Sequence, residues 1–353
     1  MGLRAYILKR TINCFILLLF VITINFVIFM LMPGNPEALF MPPPGGMPPE
    51  QYVQWRERLK KLWGIGEPVH VRFYKTLVSL LTWNFGKSIT TRRPVAEEML
   101  ARLPYTIYLL GTATTISIIL GVVLGVIAAY KRGESVDSFL VSSSIILYSF
   151  PVFWIGQIFI LIFTIKLGWF PHAHAFDPER AFKKLYPLSI EPNISQNLLI
   201  NFNVNTNDLA ALIGDYLRHS FLPLLTLVLF LYGGYVLLTR VTMLEALTED
   251  YIITARAKGV PERDILIKHA LKNASLPLIT AVALAYAGIF GGAIITETVF
   301  SYPGIGRWVW EAISARNYPI LMPVFYIMAL LTILANFVAD LLYGVLDPRI
   351  KYG

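Results

Sequence analysis

The chain has 353 residues, 56% of them hydrophobic and only 15% charged, with a formal net charge of +8. Soluble domains carry about 25% charged residues; here the charges cluster between long uncharged runs, as a bilayer selects, because a buried charge costs roughly 2.5–3.5 kcal/mol there. An ordinary soluble domain is excluded, the basic balance fits loops at a membrane face and not a nucleic acid partner, and the single cysteine, Cys14, excludes an intrachain disulfide.

The apolar runs predict six spans. Thr11–Met32 is uncharged and ends at Pro33-Gly34; as a helix it is long enough for a hydrocarbon core of about 30 Å. Arg4, Lys9 and Arg10 precede it, as in a signal peptide. The run is longer than a signal's apolar core and no small-residue cleavage site follows, so it reads as a retained helix. Tyr105–Tyr130 is the second span, stopped by Lys131-Arg132-Gly133, and Ser138–Gly168 the third, with Pro151 inside it as a kink or break. Phe221–Thr239 is the fourth, ended by Arg240; Ser275–Ile295 the fifth, opened by Pro277; Ile320–Leu346 the sixth, interrupted by Asp340.

Lys and Arg set the orientation. Their raw number favours an outward N-terminus, but long loops count little; by density the N-inside arrangement wins about twofold. Both termini and segment 240–274 are then expected in the cytoplasm. Of the outer segments, Pro33–Gly46 should be extended, and Glu50–Trp63 carries Tyr52, Trp55, Leu59 and Leu62 on one helical stripe. His172 and His174 alternate in the second outer loop without a third ligand, so they read as ordinary loop histidines. Gly121–Gly125 and Gly288–Gly292 have the spacing of close helix packing. Asp340, as an acid within a span, is a functional candidate, weighed against a structural ion pair near the inner surface.

The inner segment Met243–Pro277 holds the most information. Leu244, Leu247, Tyr251 and Ala255 share a helical face. Gly259 should end that helix by taking positive φ, and Pro261 should start a second, with Glu262 and Asp264 at its N-terminal end and Lys268, His269 and Lys272 toward its C-terminal end. Two short helices joined by glycine would form a rigid projection suited to docking; the plainer reading is a basic linker at the headgroups.

Ala255-Arg256-Ala257-Lys258-Gly259, then His269-Ala270-Leu271-Lys272-Asn273-Ala274 and Leu276-Pro277, resembles the coupling loop of binding-protein-dependent ABC importer permeases of the dipeptide/oligopeptide/nickel branch. Matching stretches run along the chain: Pro33-Gly34-Asn35-Pro36, Asn84-Phe85-Gly86-Lys87-Ser88, Arg93-Pro94-Val95, Arg102-Leu103-Pro104, Phe150-Pro151-Val152-Phe153-Trp154, Val299–Gly306 and Asp347-Pro348-Arg349. The pattern departs at Ile253-Thr254-Ala255, where the general motif has Glu-Ala-Ala, and in the longer gap from Gly259 to Leu276. Glu245-Ala246-Leu247 is a separate upstream feature.

The resemblance implies an all-α integral membrane protein with six transmembrane helices of the type I ABC importer permease fold. Residues 1–32 would be an N-terminal segment with the first span, and 33–104 an outer loop. Residues 105–346 would be a five-helix permease core, with an outer insertion at 169–219 and a cytoplasmic coupling loop at 240–274; 347–353 would be a cytoplasmic tail. Its implied partners are a second, similar permease, two ATP-binding subunits, an external solute-binding protein and the bilayer. The chain has no GxxxxGK[ST] phosphate loop, so ATP would be bound by those partners, with no cofactor and no catalysis in this chain. The residues implied in coupling are Asp250, Tyr251, Ala255, Arg256, Ala257, Lys258, Gly259, Glu262, His269, Leu276 and Pro277. Those for a pathway or gate are Pro151, Glu297, Pro303, Gly304, Gly306 and Asp340. Tyr302–Gly306 is expected as a turn or re-entrant loop, followed by Trp308 and Trp310 as interfacial aromatics, and reads either as a plain outer turn or as part of that gate. Cargo stays open among di- and oligopeptides, oligosaccharides and nickel chelates. An ion-coupled carrier would need an inverted repeat with embedded acids, and a membrane enzyme a catalytic constellation; neither is evident.

Overall fold

A computed structural model of the chain describes residues 3–31, 48, 50, 53–54, 67–175 and 206–346, with side chains described from 8 in the first segment and for 210–338 in the last. The stripe Glu50–Trp63, the Asp340 side chain and Asp347-Pro348-Arg349 lie outside the described residues, apart from short pieces of the first.

The described regular structure is helical. In chain order it comprises α1 (Leu3–Leu31), α2 (Val69–Leu81), α3 (Val95–Tyr130), α4 (Ser135–Ser149) and α5 (Val152–Phe159), whose end continues as π-helix Ile160–Lys166. Next come α6 (Thr206–Leu247), α7 (Asp250–Ala257) and α8, which runs over 262–288 as Glu262–Asp264, a π-helical Ile265–Ala270 and Leu271–Gly288. The rest are α9 (Ile294–Val299), α10 (Ile305–Ser314) and α11 (Tyr318–Leu346). Among the described residues five helices are long and apolar enough to cross a membrane, or six if the bent pair α4–α5 counts as one span.

Helix limits differ from the expected spans at several points. α3 begins at Val95 and not Tyr105, and holds Pro104 inside it; its first turn follows Pro94, a residue preset for a helix start, and carries Glu97 and Glu98 at the positive end. α6 starts upstream of Phe221, inside the expected 169–219 insertion, and runs through Arg240 to Leu247. Arg240 does not end the span because its charge is paired, as described below. Pro277 lies within α8 and does not open it. Near Ile295 the expected fifth span breaks at Gly292, which has φ +73°.

The chain divides into two compact units. The first comprises Met1–Pro104, Ile279–Gly292 and Trp308–Gly353. There α1 packs along α11: Asn25 Nδ2 donates to the Met322 carbonyl at 3.0 Å, and Phe29 meets the rings of Tyr318 and Phe325. Phe26 meets Phe73 of α2 edge-on. A tight hairpin pairs Lys87 with Pro94, and buried Asn317 anchors it, donating to Ser88 Oγ at 2.9 Å and accepting from the Ile89 amide at 3.2 Å. Trp308 is buried and stacks under Arg102 at 5.0 Å, whereas Trp310 is exposed; only the latter keeps the exposure expected of an interfacial aromatic.

The second unit comprises Tyr105–Leu278 and Ala293–Arg307. Gly121 and Gly125 do serve close packing: a Cβ on either would strike α6 at Tyr235 or Thr239. Gly233 of α6 lies as tightly against α4, 2.6 Å from the Ser144 carbonyl for the same added atom. In the first unit Gly288–Gly292 is no such seam. A Cβ on Gly288 meets nothing, and it is Gly291 that sits under Met328.

Candidate functional site

The segment between α6 and α8 is a small packed module. α6 ends at Leu247, and Glu249, in an extended conformation, starts α7. The stripe expected to run unbroken from Leu244 to Ala255 is therefore split at Thr248–Glu249. Its residues still converge: Met243, Ala246, Ile252, Ala255, Ile265, Ala270, Ala274 and Ala129 of α3 form one buried cluster, with Leu244, Leu247, Tyr251 and Val260 packed against it. Bending the chain there folds α7 back onto its own apolar surface, which gives the module a core independent of any partner.

Gly259 makes the second bend as expected. Its φ is +74°, and a Cβ would meet nothing within 4 Å, so the requirement for glycine is conformational and not steric crowding. The Val260 amide donates to the Ala255 carbonyl at 3.2 Å and the Gly259 amide to Arg256 at 3.0 Å, the paired closure of a Schellman end, with the usual apolar contact between Val260 and the Ala255 cluster. Pro261 then caps α8, its carbonyl accepting from Asp264 and Ile265. Across the turn Arg256 Nη2 meets Glu262 Oε1 at 2.8 Å. The carboxylate raises the Arg256 guanidinium further above its ordinary range; as a half-exposed pair it adds on the order of 1 kcal/mol or less.

The predicted residues therefore separate into inner and outer sets. Ala255 is buried and Tyr251 half-buried, with its hydroxyl shielded and without a hydrogen-bond partner among the described residues. Asp250, Arg256, Ala257, Lys258 and Gly259 are exposed, joined by Ile253 at 60% exposure. That face is a projection on which Ile253 is the large exposed apolar residue. His269 and Pro277 are exposed on α8, and neither Leu276 nor Pro277 belongs to the module's buried cluster. The second helix is not short, since α8 leads from the turn directly into the fifth span.

One support escaped the sequence reading. Asp137, at the start of α4 and buried, takes both Arg240 Nε at 2.6 Å and Arg240 Nη2 at 2.8 Å, plus the Gly133 amide at 3.0 Å. This fork ties α4 to α6 about two turns before α6 ends at Leu247. The available signal was an acid and a base, Asp137 and Arg240, flanking consecutive spans on the same side.

A second polar node surrounds Glu297. Its side chain is fully buried. Oε1 accepts from the Ala293 amide at 3.1 Å and Thr106 Oγ1 at 3.2 Å, and Oε2 from the Arg307 amide at 3.0 Å. Thr106 accepts in turn from the Ile305 amide at 2.7 Å. One carboxylate thus serves the N-terminal amides of both α9 and α10, where helix dipoles favour negative charge. Gly304 is required because a Cβ there would strike the Glu297 carboxylate and Thr106 hydroxyl. Gly306 is crowded in the same way, with Ile294 N at 2.6 Å, and lies in the first turn of α10. The expected turn exists over 300–304; its expected extension through Gly306 is instead helix. Pro303 is half-buried. Buried Tyr302 closes the node: its hydroxyl meets Tyr216 at 2.7 Å and Ser220 at 3.4 Å, and burial pushes its phenol up, so it stays protonated. Pro151 stands at the break between α4 and α5, where the axis turns by 94°.

A family model described as binding-protein-dependent transport system inner membrane component matches residues 121–352. The chain is 36% identical over 329 residues to a di/tripeptide transport system permease protein of Pseudomonas aeruginosa, covering 93% of each chain. It is 32% identical over 351 residues to an oligopeptide transport system permease protein of Bacillus subtilis, covering 99% of this chain and all of the relative. To a glutathione transport system permease protein of Salmonella typhimurium it is 30% identical over 347 residues, covering 98% and 99%.

Proposed function

Because the chain belongs to the family of binding-protein-dependent transport system inner membrane components, we propose that it is a permease subunit of an ATP-driven peptide importer. It forms half of the translocation pathway and works beside a second permease, two ATP-binding subunits and an external solute-binding protein. The observation that carries the reading is the α7–Gly259–α8 module: a self-supporting projection with an exposed face and a direct helical link into the fifth span. A rigid lever of this kind suits transmission of ATPase closure to the pathway. Peptide cargo is favoured over oligosaccharides or nickel chelates by the relatives' names, which concern di- and tripeptides, oligopeptides and glutathione. The chain itself supplies no ATP chemistry and needs no cofactor. Glu297, Pro303, Gly304, Gly306 and Asp340 remain candidates for the gate, Glu297 and Gly304 as its internal brace.

Reconstitution tests this reading. Purified with its partners in liposomes, the complex should take up a dipeptide only when ATP and the binding protein are both present. Uptake without either would point instead to an ion-coupled carrier.

Orientation follows from the same proposal, with both termini and the module in the cytoplasm. In a Cys14-free background, a membrane-impermeant thiol reagent added outside should modify a cysteine at exposed position 172 and spare one at 262. Outside labelling at 262 would reverse the topology.

A further inference from the structure

The third span contains a corner that packing within the chain does not account for. α4 starts at Ser135, directly after the Lys131-Arg132 turn, and its 15 residues rise about 22 Å before the break. That distance lies inside a hydrocarbon layer of about 30 Å. There Pro151 has no N–H to offer the Leu147 carbonyl, and the chain turns by 94°. Among the described residues no donor meets the carbonyls of Leu147, Tyr148, Ser149 or Phe150, and no acceptor meets the amides of Val152 or Phe153.

Main-chain groups without partners cost several kcal/mol each in hydrocarbon, so irregular backbone at this depth must face protein or water and not lipid. The side chains agree. α5 buries Ile155, and its Gly156 lies against Val299 and Phe300. Its opposite face, at helical spacing, exposes Phe153, Trp154 and the polar Gln157. Tyr148, stacked on Phe230, exposes 53% of its surface on the other side of the corner. A lipid-facing turn would carry neither an exposed amide nor a row of open carbonyls. A contact made only of aliphatic side chains would leave both unsatisfied.

We propose that the corner 147–157 is a peptide-contacting surface of the translocation pathway. Its open carbonyls and the Gln157 amide hydrogen-bond the main chain of a peptide in transit, while Tyr148, Phe153 and Trp154 contact its apolar side chains. The chemistry favours short peptides with an aromatic or bulky residue. This assignment rests on the peptide-importer reading above.

The test uses the full complex in proteoliposomes with radiolabelled alanyl-phenylalanine and alanyl-alanine. Trp154→Ala should lower uptake of the aromatic dipeptide about fivefold, the equivalent of one lost aromatic contact, and change the small one far less. Gln157→Leu should lower both alike. ATP hydrolysis stimulated by the loaded binding protein should persist in both variants, and Ile146→Ala, on exposed α4 surface, should behave as wild type. With Trp154 replaced by benzoylphenylalanine, illumination during turnover should attach the radiolabelled dipeptide. Wild-type uptake of both dipeptides by both variants overturns the proposal, as does photolabelling of lipid or the second permease alone. If the wild-type complex moves neither dipeptide under any condition, the peptide-importer reading falls and this assignment with it.

Discussion

Gly259→Val should abolish the coupling of substrate to ATP hydrolysis while leaving the complex in the membrane. The residue holds φ +74°, where an ordinary L side chain costs about 1–2 kcal/mol and a β-branched one more. Empty space around the added Cβ means that no clash contributes. Strain alone then acts on a turn held by the Val260 and Gly259 amide bonds and by an exposed ion pair of little strength. Releasing those bonds loosens the turn, leaving α7 and α8 joined only through their shared apolar cluster, and leaves the spans intact. Stimulated ATP hydrolysis in the purified complex should fall at least roughly tenfold, the ratio equivalent to 1.4 kcal/mol. Gly259→Asn provides the control, because asparagine tolerates the left-handed region and should retain most coupling. Equal coupling in the Val and wild-type complexes would remove the turn from the transmission path.

Glu297→Ala should destabilise the permease itself. Three donors would lose their acceptor: the Ala293 and Arg307 amides and the Thr106 hydroxyl. At about 1–3 kcal/mol for each unmet buried group, the total is on the order of 5 kcal/mol, comparable to the whole stability of many domains. The melting temperature of the detergent-purified complex and its yield from size exclusion should both drop sharply. Gln should rescue in part, since it keeps the shape but turns an NH2 toward donors. Gly304→Ala pushes on the same carboxylate, so its cost should shrink in the Glu297→Ala background. Strict additivity of the two changes would show that the carboxylate and the glycine do not share one node.

Much of this protein was readable without coordinates. Runs such as Thr11–Met32 have no stable alternative to a membrane helix, because only a helix satisfies its own main chain in hydrocarbon. Gly259 and Pro261 were legible for a similarly local reason: each restricts φ by its own covalent structure. The membrane class, the helix–glycine–helix turn and the break at Pro151 therefore follow from residues that act on their nearest neighbours.

Tertiary structure decided the rest. Arg240 looked like a helix end until Asp137, 103 positions away, neutralised it. Pro104 and Pro277 looked like boundaries, yet each sits within a helix. Nothing in the sequence near Glu297 named its three donors, which come from Ala293 before α9, the start of α10 and distant Thr106. Gly121 and Gly288 stand in the same sequence pattern; one lies against Tyr235 and the other against nothing. In each case the free energy belongs to a pair or cluster of groups far apart in the chain, so no single segment carries the information that sets its outcome.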